Sequence, residues 1–264
     1  MSLPCRCDYM DQVFLPGLPV ELIRAAYEAA PGNEIASGKI MSPESSAALV
    51  ANAFGLFLDH PAELPPLPGC AALGWPATSV RLEALVRFPW TGGRHPCLDV
   101  LVETSAALIG IESKRFEPFR SKSETALSDA YWRPVWGDAM ASYQRVRDML
   151  RDGVLAFQSL DAGQLVKHAF ALRTAAHRPG SAMGKQPVLL YLHTEPTTWP
   201  DGRPVPASAI ERHRAEIARF AELVDGGEVP FLSCTYRQLL ASWSKTTAPT
   251  IRSHAEAVTV RFAV

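Results

Sequence analysis

Apolar and polar positions recur along this chain with two different periods, and the changes of period mark its elements. Near the N-terminus, Pro19–Ala29 reads as a short helix ended by Pro31–Gly32. Ser42–Pro43–Glu44 then sets a capping serine ahead of a proline suited to a first helical position. Ala47, Val50, Ala51, Phe54 and Leu58 follow at i, i+3, i+4, i+7 and i+11, one apolar stripe of a helix. The proline-rich segment His60–Gly69 reads as an extended connector. Beyond it the period drops to two. Ser79–Phe88, Leu98–Glu103 and Ala107–Phe116 read as strands, with separators short enough for an antiparallel meander.

Glu117–Gly137 is rich in turn formers and aromatics and reads as irregular. Asp138–Arg151 has a helical pattern, and Asp161 to Gln164 has capping-box spacing ahead of Leu165, Ala169 and Leu172. Pro187–Leu192 is continuously apolar, as a strand covered on both faces would be. Ser208–Val224 is a helix with Ile210, Ile217, Phe220, Ala221 and Val224 on one stripe. Val229–Cys234 reads as a strand, Tyr236–Trp243 as a helix and Ala257–Val264 as a closing strand. The expected order is α–β–β–β–α–β–α–β–α–β. This is an α/β fold of α+β type, with a mixed central sheet flanked by helices.

Composition narrows the class. With 264 residues, 47% hydrophobic, and no internal repeat, the chain suits a single domain with a sizeable core. The longest apolar runs, Ala106–Ile111 and Val188–Leu192, fall short of the ~18 residues of a spanning helix, so no membrane is expected. The opening MSLPCRCDYMDQ has no basic segment followed by an apolar one, and a cytoplasmic location is the expectation. Cys5, Cys7, Cys70, Cys97 and Cys234 are odd in number and scattered, which suits reduced thiols. Cys5–Arg6–Cys7 has no second ligand pair with which to hold zinc. Net charge is −1, yet a polyanion responds to a local patch and not to the sum. No phosphate-binding P-loop, GxSxG elbow or HExxH helix is present.

The chemistry concentrates on two neighbouring strands. Glu112 and Lys114 are two apart, so a strand points both to one face. Asp99 starts the preceding strand, and hairpin pairing brings its carboxylate close enough to Glu112 to share a hard cation. Two carboxylates with the main-chain carbonyl of Ser113 suit Mg²⁺ or Mn²⁺, and Lys114 is placed to orient water or stabilise developing negative charge.

The stretch His95–Phe116, HPCLDVLVETSAALIGIESKRF, resembles the PD-(D/E)xK nuclease superfamily, the restriction-endonuclease-like fold. LDVLVE looks like the strand that bears the family's aspartate, and IESKR like its ExK strand; Pro96 stands three residues before Asp99 instead of directly before it. The resemblance implies an αβββαβ core over about 34–193, with helix and strand additions over 194–264 in the same single domain, 1–264. It implies hydrolysis of DNA phosphodiester bonds with Mg²⁺ or Mn²⁺. Asp99, Glu112 and Ser113 would be the metal ligands and Lys114 the catalytic lysine. Members often add an acid from the first helix, here Glu34 or Glu44. The segment around Glu34, GNEIASGKIMSPESSAALVANAF, is similar to the opening of a bacterial restriction-endonuclease-like group, whereas Glu44 also suits the dipole of a first helical turn.

Arg115, Arg120 and Lys122, interleaved with Phe116 and Phe119, are candidates for gripping phosphates and stacking on a base. Gln164 and Lys167 share a helix face behind the meander, where nuclease folds of this type often place polar groups near the site, and are further candidates for binding nucleic acid. His168, Arg173, His177 and Arg178 read as a solvated basic face, and His193–Thr194–Glu195 as a polar strand exit. Cutters of duplex DNA often pair two sites by dimer symmetry, so a homo-oligomer is compatible with this expectation. The alternative is a catalytically inactive nuclease-fold protein that binds nucleic acid or a protein partner without cutting.

Overall fold

The computed structural model describes residues 12–88, 90, 95–120 and 127–264. Its centre is a five-stranded mixed sheet built from β1 (Ser79–Leu85), β2 (Cys97–Glu103), β3 (Ala107–Lys114), β4 (Gln186–His193) and β5 (Phe231–Thr235), in spatial order 1-2-3-4-5. β1, β2 and β3 run antiparallel as the expected meander, whereas β3–β4 and β4–β5 are parallel. Parallel neighbours need crossovers, and helices supply them: α3 (Ala141–Arg151) and α4 (Ala162–Ala176) lead from β3 to β4, and α5 (Ala207–Val224) leads from β4 to β5.

Helices cover both faces. One face packs on α1 (Val20–Ala29), α2 (Ser46–Phe54), α6 (Tyr236–Trp243) and α7 (Pro249–Phe262) through Tyr27, Leu49, Phe54, Tyr236, Trp243 and Phe262 against Val100, Ile109, Ile111 and Leu190. The other packs on α3, α4 and α5 through Tyr143, Phe170, Leu172 and Phe220 against Leu98, Leu101, Leu108 and Leu189. A strand covered on both sides is apolar at nearly every position, which is why ALIGI and PVLLYL lack alternation. Gly110 lets α4 lie close to β3: a Cβ there would stand 2.9 Å from both Leu172 methyl carbons and from Leu98 Cδ1.

Two strands change face at one level of the sheet. Val80 and Leu82 belong to the first core, but Ala84 and Val86 belong to the second. Between them Glu83 has φ +47°, a left-handed conformation uncommon for a residue with a side chain. On β2, Leu98 lies in the second core and Val100 in the first, so Asp99 sits at the corresponding switch. Leu82 pairs with Val100 and Ala84 with Leu98, which sets Glu83 across from Asp99.

Two expectations are corrected. The second helix does not start with Pro43 in its first turn. It starts at Ser46, with Ser45 as cap, accepting a hydrogen bond from Ala48 N at 3.0 Å. The expected closing strand over Ala257–Val264 is instead the end of α7. The alternation in AVTVRF is local, whereas Ile251, His254, Ala255, Val258 and Phe262 form a helical stripe that faces the core.

Candidate active site

β2 and β3 stop pairing after Val100↔Ile111, and one step further lie Asp99 and Glu112. Asp99 takes up the freed backbone there: its Oδ2 accepts a hydrogen bond from Ser113 N at 2.6 Å. Glu112 points to the α4 side and is 1% exposed. Its Oε1 accepts a hydrogen bond from Lys114 Nζ, the neighbour two residues along the same strand. His168 Nε2, from α4, lies 2.9 Å from Glu112 Oε2, close enough for an ion pair but outside hydrogen-bond alignment. On the opposite face the hydroxyls of Ser113 and Tyr236 are 2.6 Å apart, tying the end of β3 to α6.

The two carboxylates titrate in opposite directions. Burial, then the Glu112 charge, push Asp99 well above the ordinary carboxylate range. Burial acts the same way on Glu112, but Lys114 and His168 outweigh it and hold that group down at about 2. Burial disfavours the Lys114 ammonium as well, and the charges of Glu112 and Asp99 outweigh it, so Lys114 stays above its usual range. Of the two carboxylates, Glu112 is therefore the one that holds its negative charge more firmly, beside a Lys114 favoured as the ammonium.

A further acid, not singled out by the sequence, completes the neighbourhood. Burial, reinforced by the charges of Glu112 and Glu34, pushes Glu83 up to about 7, while Cys97 Sγ donates to its Oε2 at 3.5 Å. Its position across from Asp99 was legible in the alternation of SVRLEALV, but its change of face was not. Glu34 is half-buried, and its charge reaches Glu83 and Tyr27. Glu44 lies elsewhere, paired with Arg120 and close in charge to Arg115. Of the two N-terminal candidates, only Glu34 is drawn toward the acid group.

The donor set can be tested for a divalent cation on its own atoms. Asp99 and Glu112 repel one another, Glu112 Oε2 is buried without a hydrogen bond, and Ser113, directly after Glu112, gives its backbone N–H to Asp99. These hard oxygen donors suit Mg²⁺ or Mn²⁺, which keep several waters. Among the described residues no group of three His, Cys, Asp or Glu side chains is placed to hold a metal ion.

The basic candidates divide. Arg115 is 8% exposed and donates from Nη1 to Pro43 O at 2.5 Å and from Nη2 to Phe262 O at 2.8 Å, so it ties β3 to the N- and C-terminal segments. Arg120 is exposed, pairs with Glu44 and lies 5.0 Å over the Trp199 ring. Lys122 falls outside the described residues. Gln164 gives its backbone N–H to the Asp161 cap at 2.9 Å, and Lys167 Nζ lies 5.8 Å over Tyr131.

His168 is buried against Glu112 and is not part of a solvated face, a correction whose one sequence cue was its i+4 spacing from Gln164. His193, expected as a polar exit, is also buried; it stacks on Tyr191 at 5.4 Å, and burial holds its pKa down at about 4. Tyr191 is the register partner of Glu112 and shares a 2.9 Å hydrogen bond with His213, so polar groups continue from the acids across β4 to α5. Comparison of the chain with protein-family models, curated proteins and solved structures finds no match.

Proposed function

We propose that this chain is a divalent-cation-dependent nuclease of the PD-(D/E)xK type acting on DNA, with a restriction-endonuclease-like αβββαβ core formed by α2, β1–β3, α4 and β4. The observation that carries this is the placement of Asp99 and Glu112 where β2 and β3 part, with Lys114 bonded to Glu112. Asp99, Glu112 and the Ser113 carbonyl would hold Mg²⁺ or Mn²⁺. Such an ion neutralises charge on a transferring phosphoryl group and makes hydroxide available near neutral pH.

The chain's own groups then have separable tasks. Lys114, held charged, donates hydrogen bonds and positive charge to a phosphate oxygen or an attacking water, and does not serve as a base in this state. Lys114 fixes Oε1 of Glu112, while His168 Nε2 stands 2.9 Å from Oε2 without bonding it. The Ser113–Tyr236 contact fixes the end of β3 and with it the main-chain carbonyl. One feature favours the alternative of binding without cutting: Glu112 is already ion-paired with Lys114 inside the protein, with the His168 ring beside its other oxygen.

Plasmid DNA incubated with the protein and Mg²⁺ or Mn²⁺ is expected to be cleaved, and EDTA to stop it. Lys114→Ala should lower the rate by about 10²–10⁴-fold while leaving the melting transition in place. Absence of both cleavage and calorimetric Mg²⁺ or Mn²⁺ binding would overturn the nuclease. DNA binding indifferent to EDTA and unchanged in Asp99→Ala would establish the non-cutting alternative.

A further inference from the structure

The parallel strands β3, β4 and β5 end together, and a cavity of about 360 Å³ opens at their carboxyl ends. The crevice beyond the carboxyl ends of parallel strands is where open α/β sheets most often take ligands. Its walls include Arg115 and Phe116 after β3, Thr194 after β4, Arg237 at the start of α6, Arg261 near the end of α7, and Trp199 in the loop that follows β4.

The floor carries an unusual charge. Arg115 is a buried guanidinium lying 5.1 Å from the ring centres of both Phe116 and Phe262, and its hydrogen bonds go to main-chain carbonyls. Among the described residues no carboxylate stands within ion-pair distance of it: Glu117 is taken by Arg115's own backbone N–H and by Ser46, and Glu44 by Arg120. A buried charge is ordinarily paired, because removing it from water is costly. The other acid of the cavity, Glu195, is matched by Arg214 through two hydrogen bonds of 2.6 and 2.5 Å. Arg237 is exposed and makes no ion pair among the described residues, and exposed Arg261 donates to the carbonyl of Gln12 at 2.7 Å. Among the side chains that line the cavity, three arginines therefore stand against one glutamate, which is itself bonded to Arg214.

We propose that this cavity binds a phosphate-bearing nucleotide, its phosphate drawn by Arg115, Arg237 and Arg261 and its base and sugar lying along the loop 194–200, whose Trp199 is held in place by stacking on Phe116 at 5.2 Å. A bare anion would leave most of the volume empty, whereas 360 Å³ falls in the range of small-molecule sites. Tyr236 lines the cavity and its hydroxyl is 2.6 Å from that of Ser113, so the cavity adjoins the end of β3 next to Glu112. Its role, holding a nucleotide next to the scissile bond, rests on the nuclease proposal; its binding does not.

Calorimetry in EDTA with thymidine 5′-monophosphate tests the binding. Wild type is expected to bind it at least tenfold more tightly than thymidine or inorganic phosphate, with Arg237→Ala weakening the nucleotide about tenfold. Arg237→Lys keeps the charge and should retain most of the affinity, and Arg178→Ala, remote from the cavity, should retain all of it. Unchanged melting curves verify that the variants fold. No binding at millimolar nucleotide, equal affinity for inorganic phosphate alone, or an Arg237→Ala variant that binds as wild type does would each overturn the proposal. With no metal present, nucleotide binding by a protein that fails to cut DNA would uphold the cavity while rejecting the nuclease, and cleavage without nucleotide binding would do the reverse.

Discussion

Glu83 holds a left-handed backbone conformation inside a strand and a carboxyl that burial pushes up to about 7 from an ordinary value near 4.5. Such strain persists only where surrounding structure imposes it, and here it turns β1 from one core to the other beside Asp99. Between pH 4.5 and 7 the folded chain keeps a proton at Glu83 that the unfolded chain has released, so this group's contribution to stability falls as pH rises. At about 1.4 kcal/mol per pKa unit the loss totals about 3 kcal/mol. Glu83→Gln, always uncharged, should match wild type near pH 4.5 and exceed it by up to about 3 kcal/mol at pH 8, as read by urea denaturation at both values. A difference that ignores pH would rule out burial of the charge as its cause. His193, held down at about 4, contributes the opposite slope between pH 4 and 6.5, because the unfolded chain binds the proton first. The wild-type curve alone therefore conceals both groups, and the difference between variant and wild type isolates one.

At the scale of elements, the ends are set by hydrogen bonds that composition only partly reveals. Ser42 and Ser45 both precede the apolar stripe of α2, and proline after Ser42 favoured the earlier start. Ser45 is the cap, while Ser42 Oγ accepts only the Glu44 N–H, at 3.3 Å. Ser45→Ala should therefore cost about 1 kcal/mol and Ser42→Ala less than half of that in chemical denaturation. Equal losses would return the helix start to Ser42. The meander, β4 and α5 were legible because a period of two, an unbroken apolar run and a period of 3.6 are local signals. The end of α7 was not: over a few residues AVTVRF alternates, and only the stripe starting at Ile251 distinguishes helix from strand.

At the scale of the whole molecule, the residues after His193 complete both faces of the sheet. Trp243 packs edge-on against Phe54 and Phe57, and Phe220 packs against Phe231 and Tyr143, and the two cores that hold them also hold Val100, Ile109 and Leu101 of the meander. A chain ending at His193 would bare those surfaces and should show no cooperative unfolding transition by circular dichroism. A sharp transition would mean that the αβββαβ portion stands alone. Among the described residues no helix is long and apolar enough to cross a membrane.

By itself the sequence determined the strand meander, the strand buried on both faces and the pairing of Asp99, Glu112 and Lys114, because strand alternation and hairpin register act over a few residues. Tertiary structure alone decided the rest. Resemblance pointed to Glu34 and a helix dipole suited Glu44, but it is packing that brings one near Glu83 and the other to Arg120. His168 meets Glu112 because a crossover helix lies on the strand, and Arg115 loses its freedom to the carbonyls of Pro43 and Phe262, 72 and 147 residues away in the chain. Contacts between such distant segments leave no local periodicity, so the same residue types read equally well as solvated side chains until the chain is folded.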